Sequence, residues 1–284
     1  MISETKIIET RDKTKLHCEM IENGSPVWII VTHGLGEHCR RHSHFFKMFS
    51  QHFSVCLYDL RGHGDSEGER ANVEYFDKYV DDLEDVIQFL KDTYDMKRHI
   101  VFGHSMGGLV TSAYVQDRAE ESFYPEKVFL SSPAVAATGL LGEFFRVSPL
   151  KFNKLLAAAP LSVKLAGVLD LKKLSHDPRV YESYVKDPLN SLKIHSHLFL
   201  EILAKSREVF SRPLRVKSEL YVAIGTEDEL VNPKACVEYF KKVEKHAKLY
   251  VSQGGWHELH NEIERFRKPY LEFLEESIMD SIFN

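Results

Sequence analysis

The stretch Gly103-His104-Ser105-Met106-Gly107-Gly108 stands between an apolar run, His99-Ile100-Val101-Phe102, and a helical pattern, Leu109-Val110-Thr111-Ser112-Ala113-Tyr114. The pattern reads as a strand, one very tight turn and a helix. Glycines at both flanks let the strand and helix approach closely. The bend drives the Ser105 hydroxyl outward, and the N-terminus of the helix faces any oxyanion that forms beside it.

The rest of the chain supplies the sheet that such a turn needs. Strands are expected at 6–10 and 15–21, with Asp12-Lys13 turning between them, and at 27–32. Val27-Trp28-Ile29-Ile30-Val31-Thr32 is apolar throughout, as a strand covered on both faces should be. Further strands are read at 55–58, 127–130, 219–224 and 248–251. A helix over 75–94 presents Tyr79, Leu83, Val86, Ile87 and Leu90 at helical spacing, and a long amphipathic helix closes the chain at 263–282. Strands alternating with helices predict an α/β fold, a mostly parallel sheet flanked by helices and joined by right-handed crossovers. Residues 133–212 break this rhythm, with prolines, helical apolar patterns and no central strand. The chain is therefore divided into a first core segment (1–132), a helical insertion (133–212) and a second core segment (213–284). Ligands of open α/β sheets bind at the carboxyl ends of the strands, so an insertion placed there reads as a lid.

A net charge of −5, with no basic stretch interleaved with aromatics, argues against a nucleic-acid partner. The four cysteines, Cys18, Cys39, Cys56 and Cys236, are scattered without a C-x-x-C pair and read as reduced thiols. His38, His42, His44 and His63 cluster in sequence but lack ligand spacing, so no metal is expected. The N-terminus has no apolar signal region, and no run of about 18 apolar residues exists. A cytoplasmic protein, with at most peripheral membrane contact, is the expectation.

A serine hydroxyl needs a base held by a third group. After an elbow of this kind the acid follows a late strand and the histidine follows the last one. The 219–224 strand runs into Gly225-Thr226-Glu227-Asp228-Glu229, where Asp228 is preferred over Glu227 and Glu229 because the loop turns inward there. The final strand leads to Gly254-Gly255-Trp256-His257-Glu258-Leu259-His260. His257, just after the glycine pair, is preferred over His260, which is read as opening the last helix. Oxyanion donors are expected from the backbone of Met106 and of Leu35, the latter in the loop His33-Gly34-Leu35-Gly36.

Taken together, His33-Gly34-Leu35-Gly36-Glu37-His38 with Arg41, Asp59-Leu60-Arg61-Gly62-His63-Gly64-Asp65-Ser66, the elbow, and His257-Glu258-Leu259-His260-Asn261-Glu262 resemble the monoacylglycerol lipase and lysophospholipase family. The S33-type serine aminopeptidases belong to the same wider group. Ser175-His176-Asp177-Pro178 and Tyr184-Val185-Lys186-Asp187-Pro188 are similar to that family's two D-P patches. The resemblance implies an α/β-hydrolase fold with a helical cap, and a cofactor-free serine hydrolase acting on a small-molecule lipid ester. It implies head-group contacts from Glu37, Arg41, His104, Tyr184 and His260, with a lysophospholipid as the alternative to a monoacylglycerol. His42 departs from the family, which usually has a tyrosine there. A catalytically silent lipid- or partner-binding module is disfavoured, because every triad station and both glycine-rich loops are filled.

Two further expectations come from the residues. Leu140-Leu141-Gly142-Glu143-Phe144-Phe145 and Leu155-Leu156-Ala157-Ala158-Ala159-Pro160-Leu161, with Arg146, Lys151, Lys154 and Lys164 nearby, suit an insertion that rests on an anionic membrane surface. The same residues equally suit a cap that packs on its own domain. Arg61 and Asp65 are expected to fix the glycine-rich loop beneath the site through local hydrogen bonds.

Overall fold

A computed structural model describes residues 3–157 and 162–280, apart from the side chains of Leu140, Leu141 and Glu143. Part of the apolar 155–161 run therefore lies outside the described residues, as do the last positions of the 263–282 helix.

The strands in chain order are β1 (Glu4–Glu9), β2 (Lys15–Ile21), β3 (Val27–Thr32), β4 (Ser54–Tyr58), β5 (Arg98–His104), β6 (Lys127–Ser131), β7 (Lys164–Ala166), β8 (Lys193–His195), β9 (Glu219–Gly225) and β10 (Lys248–Ser252). Eight of them form one sheet in the order β1-β2-β4-β3-β5-β6-β9-β10. The pairs β1·β2 and β2·β4 are antiparallel, and every pair from β4 onward is parallel. Parallel neighbours require crossovers, and the helices supply them. These are α1 (His44–Phe49), α2 (Asp77–Tyr94), α3 (Met106–Asp117), α4 (Gly139–Val147), α5 (Leu150–Ala157), α6 (Pro178–Lys186), α7 (Ser196–Val209), α8 (Pro233–Lys242) and α9 (Glu264–Met279).

Strand alternation divides the core into two layers. On one face Trp28 and Ile30 of β3 join Leu83 and Val86 of α2, Leu109 of α3 and Phe240 of α8. On the other, Ile29 and Val31 join Phe45 and Phe49 of α1 and Tyr270 and Leu274 of α9. All six β3 residues are buried because both faces are covered. The helix expected over 75–94 begins at Asp77 and ends where Asp95 turns left-handed, with φ 52°.

Between β6 and β9 the chain leaves the sheet and forms α4 to α7. It also forms one element the sequence pattern does not show, the antiparallel pair β7·β8. Three-residue strands are too short to display an alternation, so only the fold brings them together. Among the described residues no helix is long and apolar enough to cross a membrane.

The glycine-rich loop after β4 is fixed locally by Asp65 through its backbone N–H, as expected, but not by Arg61. Arg61 reaches outward, from Nε to Asp82 of α2 at 2.7 Å and from Nη1 to Asp12 at 3.0 Å, while Asp65 takes Arg40 at 2.7 Å. The buried carboxylate of Asp59 holds the loop, accepting the Cys39 and Asp65 N–H groups at 2.7 and 2.8 Å. An ionised acceptor outcompetes longer side chains for backbone donors at short range.

A Cβ on Gly107 would overlap the carbonyl oxygens of Thr32 and His33, so α3 packs against the end of β3 only through this glycine. Gly107→Ala is expected to lower stability by roughly 1–3 kcal/mol. Urea denaturation should show a lower midpoint with an unchanged slope; an unmoved midpoint would mean that α3 can shift without cost.

Candidate active site

Ser105 sits between the last residue of β5 and the first of α3, with φ 54° and ψ −118°. Its N–H donates to Ser131 O at 3.0 Å, and its carbonyl accepts from Leu109 and Ala134. The backbone is thus held in a sparsely populated conformation from both sides. The hydroxyl oxygen lies 2.9 Å from His257 Nε2, and His257 Nδ1 donates to Asp228 Oδ2 at 2.7 Å. Asp228 Oδ1 is occupied separately, accepting the Leu230 and Val231 N–H groups at 2.8 and 3.0 Å. The Nδ1 proton leaves Nε2 as the acceptor for the serine hydroxyl, the arrangement that activates a weak nucleophile.

The alternatives weighed from sequence are separated by burial. Asp228 and His257 are buried, whereas Glu227 and Glu229 are exposed, and Glu229 pairs with Lys173 at 2.7 Å. His260 belongs to a short 3-10 turn, Leu259–Asn261, before the last helix, and neither of its buried ring nitrogens has a hydrogen-bond partner among the described residues. Its ring centre lies 5.2 Å from His44, on which it stacks, 4.8 Å from the tilted ring of His42 and 5.1 Å from His104, which it meets edge-on.

Leu35 and Met106 both line the pocket that contains Ser105 and His257. Neither backbone N–H is spent on an acceptor among the described residues. Met106 N–H is one of the unpaired donors that every helix start leaves open.

The five polar residues expected near a head group divide into two layers. Glu37, His104 and Tyr184 line the pocket. Arg41 and His260 do not; they stand behind it. Arg41 is drawn back because it compensates two buried carboxylates, Glu37 at 3.0 Å and Glu258 at 2.5 Å, with its guanidinium 4.8 Å from the Tyr184 ring centre. Glu37 also accepts the Gly34 N–H at 2.6 Å and faces His42 Nε2 at 3.1 Å, so one carboxylate fixes the loop that presents Leu35. Burial alone would raise the Glu37 carboxyl, but His42, which hydrogen-bonds it, and the Arg41 guanidinium bring it well below the usual carboxylate range.

Sequence reasoning passed over Glu258, which lines the pocket beside His257. The signal was the need of a buried Arg41 for a second anion. Glu262, at the end of the same His257–Glu262 motif, is a second such residue. Fully buried, it accepts from Trp256 N at 2.9 Å, bonds His176 Nδ1 at 2.8 Å and accepts from His176 N at 3.2 Å. Glu258 N–H donates to Leu174 O at 2.8 Å, and Ser191 N–H to Gly36 O at 2.7 Å. The segment between β6 and β9 is therefore bonded both to the His257 loop and to the Gly34–Gly36 loop.

Burial shapes the histidines. His260 is pushed well below the ordinary imidazole value by burial and by His42, His104 and His44, His104 by burial and by His257 and His42, and His44 falls to about 3. These rings are packed as neutral groups. His257 moves the other way: burial opposes its charge, but the Asp228 carboxylate outweighs burial and raises it.

One grouping of metal-type donors occurs among the described residues, His17, Cys39 and Asp59. Its groups are already engaged. Both Asp59 oxygens accept backbone N–H groups, His17 Nε2 meets Arg40 at 3.1 Å, and burial holds the Cys39 thiol protonated.

Residues 26–264 match the Hydrolase_4 family, described as serine aminopeptidase, S33. The chain belongs to this family. Among similar proteins, the monoacylglycerol lipase of Mycolicibacterium smegmatis is 29% identical over 250 residues, covering 84% of this chain and 83% of that one. Phospholipase YtpA of Bacillus subtilis is 29% identical over 241 residues, 84% of this chain and 90% of the other. An uncharacterized abhydrolase domain-containing protein of Dictyostelium discoideum is 28% identical over 260 residues, and the chain spans only 26% of its length. The crystal structure of the Paleococcus ferrophilus monoacylglycerol lipase superposes with a TM-score of 0.74 at 24% identity, covering 98% of this chain and 100% of that one. The fold is that of the α/β-hydrolases, and the chain is a monoacylglycerol lipase-like hydrolase.

Because Asp228 supplies the charge that raises His257, nitrogen-detected NMR should show this imidazole titrating above its ordinary 6.5. Asp228→Asn removes the largest opposition to burial and leaves only the more weakly acting Glu258 and Glu37, so the midpoint should fall. An unchanged midpoint would contradict the pairing.

Proposed function

We propose that the protein hydrolyses the single acyl ester of monoacylglycerol-type lipids to a fatty acid and glycerol. The observation that carries the reading is the unbroken hydrogen-bonded line from Ser105 through His257 to Asp228, opening into a pocket with an apolar wall and a polar end. Ser105 Oγ attacks the ester carbonyl while His257 Nε2 takes its proton. The tetrahedral oxyanion is held by the Leu35 and Met106 N–H groups. The collapsing intermediate expels the glycerol oxygen, which receives the proton from His257, and leaves an acyl-Ser105. Water, deprotonated by His257, then releases the acid. Asp228 orients the ring and stabilises the imidazolium in both halves. This chemistry uses no cofactor.

The pocket walls favour a neutral polyol over a phosphate. Their polar end offers Glu37, Glu258, Tyr184 and His104, and no lysine or arginine is among the lining residues. A phosphate would meet two carboxylates there, with Arg41 already shared between them. The second reading, a lysophospholipase, draws on the similarity to phospholipase YtpA. A cationic phospholipid head would be its best case, since the carboxylates could face the ammonium.

We read residues 133–212 as the cap of this enzyme. Leu169, Leu171, Phe199 and Ile202 give the pocket its acyl wall. Phe144, Val147, Phe152 and Leu155 are exposed on α4 and α5 beside Lys151 and Lys154, which supports peripheral contact with a membrane carrying the substrate.

Ser105→Ala should abolish labelling by a fluorophosphonate probe and lower ester turnover by about 10⁴-fold or more while the thermal melt stays near that of the wild type. Retained turnover would refute the mechanism. With matched chains, monoacylglycerol should be cleaved faster than lysophosphatidylcholine; the reverse order would favour the second reading.

A further inference from the structure

A second cavity, of about 240 Å³, opens between α4, α7 and α8. Val135, Phe145 and Phe210 give it an apolar floor, and Arg207, Glu238 and Lys242 are among its polar lining. Glu238 is already paired with Lys242 at 2.7 Å. The Arg207 guanidinium makes no hydrogen bond or ion pair among the described residues, and its Nε is buried without an acceptor. A buried donor left unmade carries its full desolvation penalty, which an entering anion would relieve.

The cavity is not remote from the site described above. Ala137, Leu203 and Ser206 belong to the walls of both pockets. Leu203 and Ser206 lie one helical turn apart on α7, so the partition is a single layer of side chains. The charges on its two sides are opposite. The catalytic side presents Glu37 and Glu258, and the far side presents the unpaired Arg207.

We propose that this cavity is a binding site for a long-chain carboxylate, with Arg207 as the anchor of its head and the apolar floor taking its first methylenes. Identifying that carboxylate as the enzyme's own product rests on the ester-hydrolase reading; the recognition chemistry does not. A fatty acid released at neutral pH is an anion, repelled by the carboxylates beside Ser105 and attracted by the cation beyond the partition. The second site gives the product a destination outside the catalytic pocket.

The test is a calorimetric titration of the full chain with oleate and with oleyl alcohol, both below their aggregation limits. It is done before and after a fluorophosphonate has filled the catalytic pocket. Oleate should bind at least about tenfold more tightly than the alcohol, as a charge-assisted bond to a guanidinium requires. Arg207→Gln should remove that preference and Arg207→Lys should keep most of it. Ala235→Trp, on the cavity's α8 wall, should block both ligands. Hydrolysis of a soluble short-chain ester should be unchanged in Arg207→Gln. Equal affinity for acid and alcohol, a preference that survives Arg207→Gln, or loss of oleate binding after fluorophosphonate labelling would each overturn the proposal. Binding needs no turnover, so it succeeds or fails independently of whether monoacylglycerol is the substrate.

Discussion

Ser105 occupies a backbone conformation that a residue with a side chain adopts only under compulsion, at a cost of about 1–3 kcal/mol. The compulsion comes from three directions: Ser131 O takes its N–H, Leu109 and Ala134 donate to its carbonyl, and glycines on both sides let β3 and α3 close in. The same Ser131 oxygen accepts from His104 Nδ1 at 3.2 Å, so the end of β6 steadies the residues on either side of the bend. The bend turns the hydroxyl toward His257 and leaves the first N–H of α3 unspent. Without this local distortion the charges assembled nearby would have nothing to act on.

Around the bend, the alternation Glu37, Arg41, Glu258 links two loops far apart in sequence. Gly34 and Leu35 are positioned by the first carboxylate, and the residue after His257 supplies the second. Removing one member of such a buried set strands the others uncompensated, which is far costlier than the set is stabilising. The Gly34–Leu35 loop and the His257 loop are therefore placed in register by one guanidinium.

Much of this could be read in the chain. The fully apolar β3 run announced a strand covered on both faces, and the glycine-flanked Ser105 between a strand and a helix announced the elbow. Asp228 and His257 could be placed because chain order ties each to the end of a specific strand. What stayed hidden depends on partners distant in sequence. Arg61 looked local but reaches Asp12 and Asp82. Glu258 carries no motif value until Arg41 is seen to need it. His260 and His104 look alike in sequence, yet only His104 reaches the pocket wall. The β7·β8 pair has no periodicity to detect, since each strand is three residues long.

The fastening of the segment between β6 and β9 is uneven. Leu174, Ser175 and His176 are bonded to the His257 loop and Ser191 to the Gly34–Gly36 loop, whereas α4 and α5 rest chiefly on α7, a neighbour within the same segment. The segment is thus held firmly along one edge and more loosely along the other. If the segment covers an acyl-ester substrate as proposed above, natural drift or laboratory redesign in α4 and α5 would retune which chains are admitted while the alcohol end keeps its shape.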